Sequence, residues 1–235
     1  MSWLARRITT PATLLAVVGV WFVFVLGWTI ASGELLRLAE RGNGSTSFDS
    51  SITSWVVAHR AHGATILARW LSALGSQKVL LPVVVIVALL LFWRRQFVLG
   101  GALIVAWGGS IGLYNLAKDV VGRHRPPVDI WLTGAAGASF PSGHAVQSLS
   151  TMIALALVGA VWLLPRARGP GSALALVLSA GVGWSRVYLG VHWATDVVAG
   201  WLIAAAWVSI VMWLALTGPA KSIEERLRAR HSGQP

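Results

Sequence analysis

Stretches of about twenty apolar residues recur along this chain, and they restrict its fold more than any other feature. A helix rises about 1.5 Å per residue, so about 20 apolar residues cross the roughly 30 Å hydrocarbon core of a bilayer. Runs at residues 12–31, 76–93, 97–117, 145–164, 172–189 and 195–216 meet or approach that length. The second is short and contains Pro82, Pro165 closes the fourth, the fifth carries Arg186 near its end, and Gly218 and Pro219 stop the sixth. The expected architecture is all-α: one integral membrane domain over residues 1–235, built as a bundle of six transmembrane helices. An even number of spans places both termini, including a tail at 217–235, on one side.

Composition agrees with a bilayer as the solvent. Of 235 residues, 56% are hydrophobic and 11% charged, against roughly 25% charged in ordinary soluble domains. Disordered, collagenous, coiled-coil and disulfide-stapled folds are excluded by the same figures. With no cysteine, zinc held by thiolates is excluded as well. The net charge of +11 would suggest nucleic acid in a soluble protein. Here the basic residues fall between apolar runs, so they read as topology signals and anion ligands, and no nucleic-acid partner is expected.

Short connections set the orientation. Arg6 and Arg7 precede the first span, Arg94 and Arg95 join the second and third, and Arg166 and Arg168 join the fourth and fifth. Lys221, Arg226, Arg228 and Arg230 follow the sixth. These ends are expected in the cytoplasm of a multi-pass plasma-membrane protein. The opposite side carries a long loop at 33–78, the stretch 118–144 and a short turn at 187–194. The first run could be a signal peptide, but it exceeds the usual 7–15 residue apolar core of one, which favours an uncleaved anchor. Residues 55–74 show apolar positions at helical spacing interrupted by Arg60 and Arg69, the pattern of an interfacial helix between spans one and two. The two arginines are expected to help recruit anionic lipid. Trp28, Trp93, Trp131, Trp162, Trp184 and Trp193 lie near span ends, as in an aromatic belt.

Three polar clusters fall together on the outer side. The first, from Lys118 to Pro127, holds Lys118, Arg123, His124 and Arg125; alone it reads as cations that anchor at the interface. The second, Phe140-Pro141-Ser142-Gly143-His144, opens the fourth span. Ser142 is a natural N-cap, and the unpaired N–H groups of a helix start attract anions. A capped helix start with an incidental histidine fits the second cluster equally well. The third runs from Ser185 to Asp196; if the sixth span's helix starts by His192, then His192 and Asp196, four residues apart, share one face. A carboxylate there can hold one imidazole nitrogen as N–H and leave the other free as base or nucleophile. A plain helix cap competes, but a carboxylate at the mouth of an apolar helix is a functional site by default.

At these residues the chain resembles the type 2 phosphatidic acid phosphatase superfamily. The family pattern is Lys-x6-Arg-Pro, Pro-Ser-Gly-His and Ser-Arg-x5-His-x3-Asp. Every specified position is present: Lys118, Arg125 and Pro126; Pro141, Ser142, Gly143 and His144; Ser185, Arg186, His192 and Asp196. The resemblance runs from about Asp49 to Leu216, toward the bacterial membrane branch that acts on phosphatidylglycerophosphate and undecaprenyl diphosphate. It implies a six-helix fold with an extracytoplasmic site and a lipid phosphate or diphosphate substrate. It further implies that His192 forms a phosphohistidine, that Asp196 orients it, and that His144 protonates the leaving oxygen. Lys118, Arg125, Arg186 and the N–H groups near Ser142 and Gly143 would hold the phosphoryl oxygens, with no metal and no other cofactor required. Arg123 and His124 lie outside the pattern and read as interfacial or secondary anion contacts; His59, His62 and His231 read as bystanders. Rival readings are a lipid phosphotransferase and a transporter or scramblase using the same headgroup pocket. A vanadium haloperoxidase has a similar anion pocket but is a soluble protein.

Overall fold

The computed structural model describes residues 46–162 and 168–217, together with Val23, Gly27 and Ala31. The expected first span, its flanking arginines and the tail beyond 217 lie outside these residues, apart from those three helical positions. Among the described residues all regular structure is helical. The order is α1 (Ser47–Ala58), α2 (His62–Leu74), α3 (Gln77–Trp93), α4 (Phe97–Val121), a 3-10 turn at Val128–Ile130, α5 (Gly143–Trp162), α6 (Arg168–Tyr188) and α7 (Ala194–Thr217).

Three of these, α4, α5 and α7, are each long and apolar enough to cross a membrane. The α2–α3 pair passes the same test only as a unit, bent by 42° at the break between them. Gly75 ends α2, and the Ser76 hydroxyl turns back to the Ala73 carbonyl rather than extending the helix. Residues 172–189, expected as a span, fall within the 21-residue helix α6, which is not among the helices apolar enough to cross a membrane. Its four glycines, three serines and terminal arginines leave it less apolar than the others.

The segment expected as one interfacial helix is two. Between them the Tyr188 hydroxyl accepts from the Ala61 N–H and donates to the Ala61 carbonyl, both at 3.0 Å. Next to it the Arg60 guanidinium donates to the carbonyls of Ile130 (2.8 Å) and Tyr188 (2.9 Å). Arg60, read from sequence as a lipid contact, therefore ties this break to the turn after α6.

Helix α5 is the centre of the bundle, packed against α4, α6 and α7. It buries 61% of its apolar window, against 33% for α4. Small residues let the helices approach closely: Ala106, Ala154, Ala204 and Ala206 are wholly buried. Interhelical hydroxyl bonds supplement this packing, with Ser148 meeting Ser179 at 3.1 Å and Ser150 donating to the Ala106 carbonyl at 3.1 Å. Outward-facing Ile86 and Leu89 on α3, Leu174 and Val177 on α6, and Val198 and Leu202 on α7 are exposed. An apolar exterior of that extent is what a lipid-facing surface requires.

The expected aromatic belt divides. Trp93 and Trp184 are exposed, whereas Trp193 is buried and donates through Nε1 to the His124 carbonyl, and Trp131 donates to the Pro126 carbonyl. The last two fasten loops rather than face lipid.

Candidate active site

Four short segments at one end of the bundle assemble the polar clusters. Lys118 lies in the last turn of α4, which ends at Gly122 with φ of 61°. That left-handed residue, cheap only for glycine, turns the chain into the loop bearing Arg123 and Arg125. Gly143 and His144 open α5, and Arg186 lies in the last turn of α6. The turn to α7 passes through Gly190, with φ of 77°; a Cβ there would lie 2.6 Å from the Ile130 carbonyl oxygen. His192 and Asp196 follow at once.

A cavity of about 710 Å³ is lined by Lys118, Arg125, Gly143, His144, Arg186 and His192. Its lining also includes Gln77 and Lys78 at the start of α3 and Tyr114 and Asn115 on α4. Thus six of the eight residues picked out by sequence share one cavity. The other two, Ser142 and Asp196, are wholly buried. Among the described residues the Ser142 hydroxyl and the Arg186 Nε find no hydrogen-bond partner, and such buried donors call for an acceptor.

Arg125 is held in a cradle of carbonyls. Its Nε donates to Gly137, its Nη2 to Ala136 and Ala138, and its Nη1 to Val191. The Lys118 ammonium donates to the Ala138 carbonyl. The same Arg125 Nη1 lies 3.1 Å from His192 Nε2. Because guanidinium can only donate, Nε2 must be the acceptor, and the ring proton belongs on Nδ1. Nδ1 in turn faces Asp196 Oδ2 at 3.4 Å. The expected contact is made, but not on a helix face as the spacing suggested: α7 begins at Ala194, so His192 reaches Asp196 from the turn before it. Burial pushes the His192 imidazole down to about 3; Asp196 opposes the shift, and Arg125 and Arg186 add to it. Burial likewise lowers the Arg125 guanidinium from its usual value.

Asp196 meets three further donors. Its Oδ2 accepts from the Trp193 N–H at 2.9 Å, closing the first turn of α7 as in a capping box. The same oxygen accepts from the Ser139 hydroxyl. Its Oδ1 accepts from Arg123 Nη1 at 2.7 Å. Arg123, expected at the interface, is instead wholly buried, and its Nη2 reaches Asp49 Oδ2 at 2.9 Å. Asp49, also wholly buried, accepts from the Thr195 N–H and hydroxyl.

Sequence reasoning missed Asp49, Ser139 and Arg123 as parts of the site. A usable signal existed for Asp49, the one acid of α1, three residues after its N-cap Thr46. Among the described residues no cluster of three His, Asp or Glu side chains is placed to hold a metal ion.

Comparison with known proteins bears on the family and the fold. The chain is 33% identical over 166 residues to an undecaprenyl-diphosphatase of Sulfolobus acidocaldarius, covering 68% of this chain and 75% of the relative. It is 31% identical over 168 residues to phosphatidylglycerophosphatase B of Bacillus subtilis, covering 71% and 82%. The crystal structure of a transmembrane PAP2 type phosphatidylglycerolphosphate phosphatase from Bacillus subtilis superposes with a TM-score of 0.71 at 26% identity, over 80% of this chain and 94% of that one. With the family model matching residues 97–218, the span that carries all three motifs, the chain belongs to the PAP2 superfamily.

Proposed function

We propose that this protein is a membrane lipid phosphatase that removes the terminal phosphate of a lipid phosphate or diphosphate through a phosphohistidine on His192. The observation that carries this reading is the fixed His192 tautomer. Nδ1–H is turned to Asp196, and the Nε2 lone pair is turned to a cavity lined by three cations. An array of Lys118, Arg125 and Arg186 matches a phosphoryl group of up to about two negative charges.

In the proposed reaction the phosphoryl oxygens take over the donors of Arg125, which releases Nε2. Nε2 then attacks phosphorus while the P–O bond to the lipid breaks. His144 gives its proton to the leaving oxygen, then takes one from the water that cleaves the P–N bond, which returns His192 as the free base. The N–H groups at the start of α5 and the unpartnered Ser142 hydroxyl and Arg186 Nε hold oxygens through both steps. The chain's own cations supply the charge compensation in this scheme.

The names of the two relatives favour an amphiphilic substrate. The cavity supports it too, since its lining includes the start of α3 and the end of α4, where a headgroup can enter with its tail left in lipid. We assign the site to the extracytoplasmic leaflet and both termini to the cytoplasm, with six spans, on the loop arginines. The exposed Trp55 and Trp70 on α1 and α2 suit an interfacial position for these helices.

The test is phosphate release by purified, detergent-solubilised protein and by His192→Ala. The substrates are undecaprenyl diphosphate, phosphatidylglycerophosphate and phosphatidic acid, each with EDTA present. Release that persists in EDTA and is lost in the variant is expected, and it ranks the substrates. Substantial release by His192→Ala would remove the nucleophile assignment. No release from any lipid by the unaltered protein would favour transport or transfer to another acceptor.

A further inference from the structure

Behind His192, on the side away from the cavity, three wholly buried charged groups form a chain. Asp49 of α1 bonds Arg123 at 2.9 Å, and Arg123 bonds Asp196 at 2.7 Å. Thr195 braces the Asp49–Arg123 pair from the side: its hydroxyl donates to Asp49 at 2.6 Å and accepts from Arg123 Nη1 at 2.7 Å. We infer that Asp49 and Arg123 are positioning residues for the reaction: together they hold the Asp196 carboxylate against His192 and set the charge behind the attacking ring.

Charge counting gives the reason for two such residues rather than one. When Nε2 bonds phosphorus, the His192 ring, still carrying its Nδ1 proton, becomes cationic. Asp196 alone would balance that charge, but a buried carboxylate that also holds a loop and a helix start needs a firm anchor. Arg123 supplies it with a planar fork that meets both partners, a geometry lysine does not offer. An arginine alone would cancel the Asp196 charge on the side away from the ring. Asp49 returns the trio to a net charge of −1, the complement of the cation that develops on His192. The anchor also ties α1, which lies outside the three motifs, to the start of α7.

This inference rests on His192 being the nucleophile, so its test is built to fail separately from that reading. The variants are Asp49→Asn, Arg123→Met and the double variant. Kinetics are measured with whichever lipid the unaltered protein hydrolyses, and inhibition by inorganic phosphate reports the state of the cavity. Asp49→Asn is nearly isosteric. It should lower kcat by on the order of ten- to a hundredfold, the size of loss that follows removal of the outer partner of a metal-bound histidine. KM and phosphate inhibition should stay within about threefold, because Lys118, Arg125 and Arg186 are untouched.

Arg123→Met should lose more, since it leaves two buried carboxylates with no cation between them, and so close a pair tends to hold a proton. Adding Asp49→Asn to it removes that conflict and should restore kcat by at least about tenfold over Arg123→Met. A purely structural role predicts a double variant no better than Arg123→Met. Native kcat in Asp49→Asn, a fall confined to KM, or no recovery in the double variant would each overturn the inference while leaving the phosphatase reading intact. If Arg123→Met does not accumulate as folded protein, the split between kcat and KM in Asp49→Asn decides. An unaltered protein with no phosphatase activity overturns both.

Discussion

Replacing Asp196 by asparagine keeps the shape of the side chain and removes one acceptor, which exposes how much the site depends on a carboxylate. Four donors converge on it: Arg123 on Oδ1, and the Trp193 N–H, the Ser139 hydroxyl and His192 Nδ1 on Oδ2. An amide has one oxygen to offer. If that oxygen meets Arg123, the NH2 group faces Trp193 and His192, donor against donor. His192 can then relieve the conflict only by moving its proton to Nε2, the atom that must attack. If the amide is flipped, its NH2 faces the buried guanidinium of Arg123 instead. Either arrangement lowers the population of the productive tautomer. The comparable carboxylate-to-amide change behind the histidine of a serine protease costs about 10⁴ in kcat, equivalent to about 5.4 kcal/mol at about 1.36 kcal/mol per tenfold. The 3.4 Å separation here is longer than a tight hydrogen bond, so a fall of about 10³ to 10⁴ is expected. The assay is phosphate release by purified Asp196→Asn, with binding of a lipid phosphate measured alongside. A variant that kept more than about a tenth of native kcat with intact binding would refute the tautomer argument.

Other consequences follow from individual contacts. With its pKa near 3, His192 should stay neutral when pH is lowered from 7.5 to 5; ring-labelled NMR of the folded protein that showed a titration near about 6.5, absent from His192→Ala, would contradict this. The sign for stability is that the unfolded chain takes up a proton below about 6.5 which the folded site refuses, so stability contributed by neutral His192 is present above that pH and is lost as pH falls toward 3. Arg60→Met should lower stability by about 1–2 kcal/mol, because the carbonyls of Ile130 and Tyr188 lose a shared donor. Gly190→Ala should cost about 2–3 kcal/mol through its positive φ and the approach of Cβ to Ile130. Unchanged thermal midpoints in detergent would refute both.

The three motifs were legible because their spacing is set by the ends of helices. A lysine in the last turn of α4, a serine and histidine opening α5, and a histidine in the turn just before α7, four residues ahead of an aspartate in its first turn, are local patterns. Periodicity gave the helices for the same reason, and even the 172–189 run, weakest in apolar content, emerged as α6. What local pattern could not show was pairing across long separations. Arg123 sits two residues from Arg125 in a basic run, so the same chemistry suggested the same outward direction; in the fold the two guanidinium groups point opposite ways, one into the cavity and one to Asp49, 74 residues distant in sequence. Arg60 misled likewise, since an arginine on an amphipathic stretch looks the same whether it meets lipid or two carbonyls. The break at Ala61 was hidden as well, because it depends on Tyr188, a residue of another helix.

Three cations line one cavity in a largely apolar bundle, and they make their direct hydrogen bonds to neutral dipoles, with the Asp196 carboxylate acting on Lys118 and Arg125 only through space. Arg125 spends its donors on the carbonyls of residues 136–138 and 191, and Lys118 on those of Ala138 and Ser139. Carbonyl oxygens carry partial charge, so they compensate a guanidinium less well than an anion does. An anion entering the cavity should therefore bind the folded state strongly and the unfolded chain hardly at all. By linkage, ligand at about a hundred times its Kd adds about 2.7 kcal/mol, or about 5–10 °C in thermal midpoint for a chain of this size. The measurement is thermal unfolding of detergent-solubilised protein against rising inorganic phosphate or vanadate, with chloride at equal ionic strength as control. Arg186→Met and Lys118→Met should each lose most of the shift, while Arg69→Met, on the exposed side of α2, should keep it. A shift equal in chloride, or one retained without Arg186 and Lys118, would show that the cavity is not tuned to a tetrahedral oxyanion, and with it the role assigned to the cations would fall.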